Sequence, residues 1–420
     1  MKVFSQHNVA AAVAVASATV MMLSGCSGSS SSQQSSSSAP KSEKSGSSSI
    51  TVWADADHTA AIKDAAAAFT EKTGVKVELV QKSLGSVQQD LITQVPTGKG
   101  PDIAIGPNDW TGLLATDGVI QPIELGNTKS KFQKVGIDAF NFNGKVYGLP
   151  FSLENVALVR NTKLAAQAPT SWDDMVAAAK AAGLQYPLLI QVGDQGDSYT
   201  MYPIETSFGS FAFGRNSDGS YNPKELTIGD EHGVTFAKWL QEQAKAGVLS
   251  TSMTADIALS KFEQGASPYL ITGPWNIKAI QKAGMSVSVD PIPSVGGQQV
   301  HPFVGSNGFF LSAKTKNKLA ATNFLTNYIA TDSVQEMLYK AGGVPPALTK
   351  AYEEAGKDAV VQGFEKAGKD GVPMPNITEM SAVWQSWNST EVSIINQRGD
   401  PTTLWQQMSE QIKSTMEKKS

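Results

Sequence analysis

Residues 50–80 constrain the fold more than any other stretch of this chain. "ITVWA" (50–54) is a short apolar strand, and the residues after it set Ile62, Ala65, Ala66 and Phe69 at i, i+3, i+4 and i+7, the buried stripe of an amphipathic helix. Gly74 closes that helical pattern. "VKVELV" (75–80) then alternates apolar and polar residues as a half-buried strand does. The opening is therefore β-α-β, the unit from which doubly wound sheets are built, and the fold class it implies is α/β.

The same alternation continues. "GPDIAIG" (100–106) supplies a short apolar strand closed by glycine, and "NFNGKVYGLPF" (141–151) places Asn143-Gly144 between two apolar-aromatic arms, which predicts a hairpin. In "SWDDMVAAAKAAG" (171–183), Ser171 and Asp174 have capping-box spacing and Gly183 sits just past the helical pattern. "YPLLIQVG" (186–193) is the strand that this helix leads to, and no internal repeat of fixed period is present. From Ile50 onward the chain has about 370 residues, more than a single core normally serves, so two lobes are expected.

The first 49 residues obey different rules. Lys2 and a polar start lead into an apolar run, Val9 to Leu23, which is too short for a stable membrane span but suits the core of a secretory signal. Residues 1–25 are expected to be removed. Cys26 is the only cysteine in 420 residues, so it has no intramolecular disulfide partner. Leu23-Ser24-Gly25-Cys26 resembles the lipobox of bacterial lipoproteins, in which the cysteine is lipidated and becomes the new N-terminus; the alternative is an ordinary cleavage site beside an incidental cysteine. Residues 26–49 then read as the lipidated cysteine and a Ser-rich tether. About 23 such residues have a typical reach on the order of 25 Å. The folded body from Ile50 onward is held near a membrane surface without entering it, because no second apolar run approaches spanning length.

Composition narrows the function classes. A net charge of -4 gives no electrostatic reason to expect a nucleic-acid partner. There is no G-x-S-x-G, and the four histidines (His7, His58, His232, His301) are scattered without metal-ligand spacing, so no metal or cofactor is expected. Paired carboxylates that meet only in space stay open.

What recurs is a carboxylate close to an aromatic ring, set in a stretch rich in turn formers: "WADADHT", "PNDW", "GDQGDSYTMY", "TGPWN" and "SAVWQSW". Flat rings cover the apolar faces of sugars, and ionised carboxylates accept hydrogen bonds from their hydroxyls. Trp53, in an apolar strand, and Trp172 and Trp239, on helical faces, are assigned to packing. For Trp110, Trp275, Trp384 and Trp387, core packing and ligand contact both stay open on local context, and it is the resemblance described next that implies ligand contact for them.

With these blocks in view, the sequence resembles the maltose-binding proteins of bacterial ABC sugar importers, within the larger class of extracellular solute-binding proteins. The resemblance runs from about Ile50 to the C-terminus. Its most specific anchors are "GPDIAIGPNDW" (100–110), "NGKVYGLPFSLEN" (143–155), "FEQG" before "ITGPWN" (262–276), "PFVGSNG" (302–308) and "MPNITEMSAVWQSW" (374–387). It implies a two-lobed periplasmic-binding-protein-like fold with a hinge and a ligand cleft between the lobes. The implied N-terminal lobe takes residues 50–152 and 306–355, the C-terminal lobe 153–305 and 356–420, with the hinge near 153–156 and 303–306.

The resemblance also implies site residues. Asp57, Asp109 and Glu154 become hydroxyl acceptors; Asp197 falls where the family has a glutamate, and Tyr199 matches a stacking tyrosine. Trp275 and Trp384 match stacking tryptophans, and Met374 a cleft methionine. His58 stands in place of a lysine, Gly106 of a tryptophan and Trp110 of an arginine, while Ala255 and Gln385 each replace a tyrosine. Losing a ring at Gly106 and gaining one at Trp110 suggests a cleft rearranged for a related sugar.

The function so implied is that of a non-enzymatic, monomeric lipoprotein on the outer face of the cytoplasmic membrane. It captures an oligosaccharide, a maltodextrin or related α-glucoside, and delivers it to ABC permease subunits. A surface glycoside hydrolase using two cleft carboxylates, or a glycan sensor or adhesin, are the alternatives.

Overall fold

A computed structural model describes residues 49–217 and 219–419; the expected signal segment, Cys26 and the tether as far as residue 48 lie outside the described residues, while Ser49, expected to end the tether, pairs with Lys76 and belongs to the first strand. The opening β-α-β unit is present. Strand Ser49–Ala54 leads through Asp55 into helix Ala56–Thr73, whose inward residues are Ala61, Ile62, Ala65, Ala66 and Phe69. Gly74 ends the helix at φ 73°, a left-handed cap that a side chain would strain. Strand Lys76–Gln81 returns parallel to the first.

These strands belong to a sheet ordered Lys76–Gln81, Ser49–Ala54, Ile103–Pro107, Asn307–Ser312, Ile120–Gln121, with Gly148–Pro150 also paired to Asn307–Ser312. Strand Asn307–Ser312 comes from far along the chain and runs antiparallel to Ile103–Pro107, so the sheet is mixed rather than wholly parallel. Helices cover it around a core that includes Ile50, Val52, Phe69, Ile105, Phe309 and Phe324. Each such fully buried side chain contributes about 1.5–3 kcal/mol by leaving water.

A second sheet is ordered Val287–Asp290, Ala157–Asn161, Tyr269–Thr272, Leu189–Ile190. Strand Ala157–Asn161 is buried along its whole length, and its alternating side chains feed two different cores. Leu158 joins Trp172, Tyr202, Phe236, Trp387 and Trp405 on one face, while Val159 joins Leu189, Phe262, Leu270 and Phe364 on the other. The two buried polar residues of this strand are Arg160 and Asn161, and Arg160 is paired with Asp290 at 2.8 Å.

The first core draws on residues 50–151 and 309–351, the second pair on 156–303 and 364–412. The chain therefore passes between them after Phe151, before Phe309 and after Ala351. Two of these passages lie side by side: Glu154 and Gly305 exchange backbone hydrogen bonds of 2.9 and 2.8 Å. Among the described residues, no helix is long and apolar enough to cross a membrane.

The expected hairpin is also present, with Asn141–Phe142 paired to Lys145–Val146 and positive φ at both Asn143 (49°) and Gly144 (78°), as a tight two-residue turn demands. Ser171 caps helix Trp172–Ala181 by accepting from the Asp174 amide at 3.0 Å. Trp53, Trp172 and Trp239 pack as expected, the last two edge to face at 5.0 Å.

Candidate functional site

A cavity of about 1210 Å³ is lined by Gln81, Pro107 and Asn307 of the first sheet and by residues that follow strands of the second, such as Gln191 and Trp275. Its first wall begins at the N-terminus of helix Ala56–Thr73. Asp55 caps this helix by accepting from the His58 amide at 3.0 Å, and its second oxygen meets His58 Nδ1 at 2.5 Å. The imidazole is thereby fixed, with its edge against Phe151 at 5.6 Å. Burial works against a charged ring, but the bond to Asp55 and the charges of Asp55, Glu154 and Asp57 outweigh it and raise the His58 pKa. Burial likewise opposes ionisation of Asp55, and the pairing with His58 overcomes it. Asp57 sits exposed on the cavity wall in the first turn of the helix.

Asp109 comes directly after strand Ile103–Pro107, in the short turn Asn108–Trp110. It is 8 % exposed, its Oδ2 accepts from Trp384 Nε1 at 2.8 Å, and Oδ1 has no hydrogen-bond partner. Burial pushes its carboxyl up to about 6 despite the Trp384 bond. Glu154, on the passage between the sheets, accepts from the Ser152 hydroxyl at 2.5 Å and from Asn307 Nδ2 at 2.6 Å.

The second wall is aromatic. Asp197 caps helix Ser198–Thr206 by accepting from the Thr200 amide at 3.0 Å and hydroxyl at 2.8 Å, and Gln191 donates to it as well. Burial raises its pKa, with those three donors opposing. The cap directs Tyr199 into the cavity, where its ring lies 6.4 Å from Trp275 and 6.2 Å from Phe303. Burial, and then the charges of Glu154, Asp197 and Asp109, raise the Tyr199 hydroxyl well above its usual pKa, so it remains a donor. Trp275 folds over Gly273, where any Cβ would come within 2.0 Å of the ring. Met374 and Trp384 complete this wall.

Nine of the eleven expected ligand residues thus line one cavity: Asp57, His58, Asp109, Glu154, Asp197, Tyr199, Trp275, Met374 and Trp384. Trp110 and Trp387 do not. Trp110 is turned into the first core, stacked on Phe310 at 6.5 Å. A Cβ on Gly106 would sit 2.2 Å from the Trp110 ring, so the ring occupies the space that the glycine leaves on the core side. The ring expected to rearrange the cleft at Trp110 is thus a core ring packed beside Gly106. Trp387 is fully buried, stacked on Trp384 at 5.6 Å and edge-on to Tyr202 at 5.7 Å, so it supports a cavity ring instead of presenting one.

Residues that sequence reasoning did not assign also line the cavity, among them Asp55, Lys82, Phe151, Gln191, Ser306 and Asn307. The "PFVGSNG" block carried a signal for the last two. Lys82 lies 4.0 Å over the Trp53 ring and pairs with Asp90 at 2.6 Å. Among the described residues, no group of three or more His, Cys, Asp or Glu side chains could hold a metal ion. The arrangement can grip a polyhydroxylated ligand between acceptors and rings.

Residues 64–364 match the family described as bacterial extracellular solute-binding protein. The chain belongs to that family. Among its relatives is a galactooligosaccharide-binding protein of Bacillus subtilis (strain 168), 27 % identical over 90 % of this chain and 93 % of that one. A maltooligosaccharide ABC transporter solute-binding lipoprotein of Streptococcus pneumoniae (strain ATCC BAA-255 / R6) is 28 % identical over 90 % and 92 %. The solved Thermus thermophilus maltotriose binding protein bound with maltotriose superposes with a TM-score of 0.80 at 30 % identity, covering 87 % of this chain and 99 % of that one. This solute-binding protein therefore has the two-lobed fold that its sequence implied, and its family is one of binding proteins rather than enzymes.

Proposed function

We propose that this solute-binding protein captures an oligosaccharide of about three hexose units in the cavity between its lobes and delivers it to an ABC importer. The observation that carries this reading is the opposition of Tyr199, Trp275 and Trp384 on one wall to Asp57, Asp109 and Glu154 on the other. Rings take the apolar sugar faces and carboxylates take the hydroxyls. A cavity of about 1210 Å³ exceeds what a drug-sized ligand needs, which favours a chain longer than a disaccharide. An α-linked maltooligosaccharide fits the relatives from Streptococcus and Thermus; a galactooligosaccharide is the second reading, favoured by the relative from Bacillus.

In this reading the ligand-binding residues are the nine on the cavity. The lobes comprise residues 50–152 with 306–355 and 153–305 with 356–420, and they close about a hinge at 153–156 and 303–306. Sugar touching both walls makes contacts available only in the closed form and shifts the population toward it. Cys26 carries the lipid that moors the protein, as a monomer, beside its permease.

Calorimetric titration with maltotriose, maltose, a galactotriose and a β-linked glucan trimer tests the ligand. Saturable binding of maltotriose, with the β-linked trimer inert, is expected; binding of none of the four overturns the proposal. Release of glucose or maltose on incubation with maltotriose would replace capture with hydrolysis.

A further inference from the structure

Beneath the aromatic wall, two carboxyls are buried without any cation. Glu205 is the penultimate residue of helix Ser198–Thr206, in which every residue but Tyr199 is buried, and Glu391 lies in helix Trp384–Ile395, which packs against it; both glutamates are 0 % exposed. Glu205 Oε1 accepts from the Ser210 hydroxyl at 2.7 Å. Its Oε2, both oxygens of Glu391, Ser198 Oγ and Trp387 Nε1 are all buried without a hydrogen bond of normal geometry, although Trp387 lies near enough to Glu205, and Ser198 to Glu391, to ease ionisation in part. Among the described residues, neither glutamate has an ion-pair partner. Two ionised carboxylates cannot be kept there cheaply, because each offers only acceptors and a charge that nothing neutralises. A protonated carboxyl is different: it donates as well as accepts.

The two helices are also the ones that present the second wall. Helix Ser198–Thr206 carries Asp197 at its cap and Tyr199 in its first turn, and helix Trp384–Ile395 carries Trp384 one turn before Trp387 and two before Glu391. Their contact is close: Asn388 Oδ1 accepts from the Ser198 amide at 2.9 Å, and a Cβ on Gly196 would lie 2.4 Å from the Asn388 carbonyl oxygen.

We propose that Glu205 and Glu391 form a proton-loaded pair that locks these two helices together and so positions Tyr199 and Trp384 for the ligand. As positioning residues they touch no sugar; the effect on affinity rests on the proposed capture function, whereas the effect on stability does not. Burial pushes Glu205 up to about 8, with Ser210 and Trp387 opposing and Asp230 adding. Glu391 is pushed well up by burial, then by Glu205 and Asp197, with Ser198 opposing. Arg215 acts on Tyr202 and Tyr221 but on neither glutamate. Because the folded pKa is raised, the pair's contribution to stability is complete below the unfolded value of about 4.3 and is lost as pH rises through about 8.

The test is thermal unfolding of the ligand-free full chain at pH 6, 7.5 and 9, for wild type, Glu205→Gln and Glu391→Gln, each in sodium and in calcium chloride, with maltotriose titrations at the same pH values. Expected is a wild-type Tm that falls from pH 6 to 9, a flatter profile in both variants, and a wild-type affinity that weakens at least threefold from pH 7.5 to 9, above the titration of Asp109, while Glu391→Gln changes less than twofold. A variant slope equal to that of wild type overturns the proposal. So does a Tm that calcium raises in wild type but not in the variants, which would mark a cation site. Infrared spectra of wild type need no variant to fold: the carbonyl stretch of a protonated carboxylic acid must be present at pH 7, and its absence refutes the pair. If maltotriose binds at no pH, the capture reading fails while the Tm profiles still decide the protonation of the pair.

Discussion

Trp384 Nε1 donates to Asp109 Oδ2 across 2.8 Å, joining a ring of one lobe to a carboxylate of the other. The bond shows how the cleft couples its walls. Asp109 Oδ1 is buried without a hydrogen-bond partner, so the carboxyl relies on the indole at its other oxygen.

Asp109 makes binding and stability depend on pH in opposite directions. Its folded pKa, pushed up to about 6, lies above the usual carboxylate value, so its contribution to ligand-free stability is complete below about 3.9 and is lost as pH rises through 6. A hydroxyl donor, however, bonds more strongly to the ionised form, in a charge-assisted hydrogen bond. Affinity for the sugar is therefore expected to fall about tenfold from pH 7 to pH 5. Asp109→Asn should abolish that dependence, as calorimetry at the two pH values would reveal.

Truncating rings separates the wall from the core. Trp275→Ala and Trp384→Ala should each weaken binding by about 1–3 kcal/mol, taking aromatic stacking on nucleic-acid bases as the scale. Trp110→Ala should instead destabilise the fold by about 3–5 kcal/mol, because it empties a core site. Urea unfolding alongside fluorescence titration distinguishes the two, and equal losses of affinity in all three variants would contradict the assignment.

The contact between Gly106 and Trp110 predicts a compensating pair. Gly106→Ala drives a methyl group into the Trp110 ring and should cost about 1–3 kcal/mol. In a Trp110→Leu background the same change should cost less, giving a non-zero coupling in a double-mutant cycle. Additive losses would mean that the ring does not fill the space left by the glycine.

His58 should titrate above its usual value of about 6.5. Its stabilising contribution is complete below that value and is lost as pH rises through the folded pKa. Nuclear magnetic resonance of the imidazole should show a raised midpoint that drops in Asp55→Asn. A midpoint that does not move would exclude the Asp55 bond as the cause.

Much of the molecule was legible in the chain because its causes are local. Ile62, Ala65, Ala66 and Phe69 lie three and four residues apart, so their shared face comes from helix geometry alone. Asn143-Gly144 dictates its turn through the backbone angles that these two residues tolerate. The carboxylate-aromatic blocks marked the segments that form the cleft, although they could not separate rings that face it from rings behind it.

Sequence by itself determined the β-α-β opening, the caps and the turn, since each depends on neighbours a few residues away. Only the tertiary structure decided that Trp110 and Trp387 turn inward, that strand Asn307–Ser312 completes the first sheet from nearly two hundred residues downstream, and that Glu205 and Glu391 share a buried space. The direction in which a side chain on a turn or helix faces depends on what fills the volume beside it, and that volume is made by residues far away in the chain.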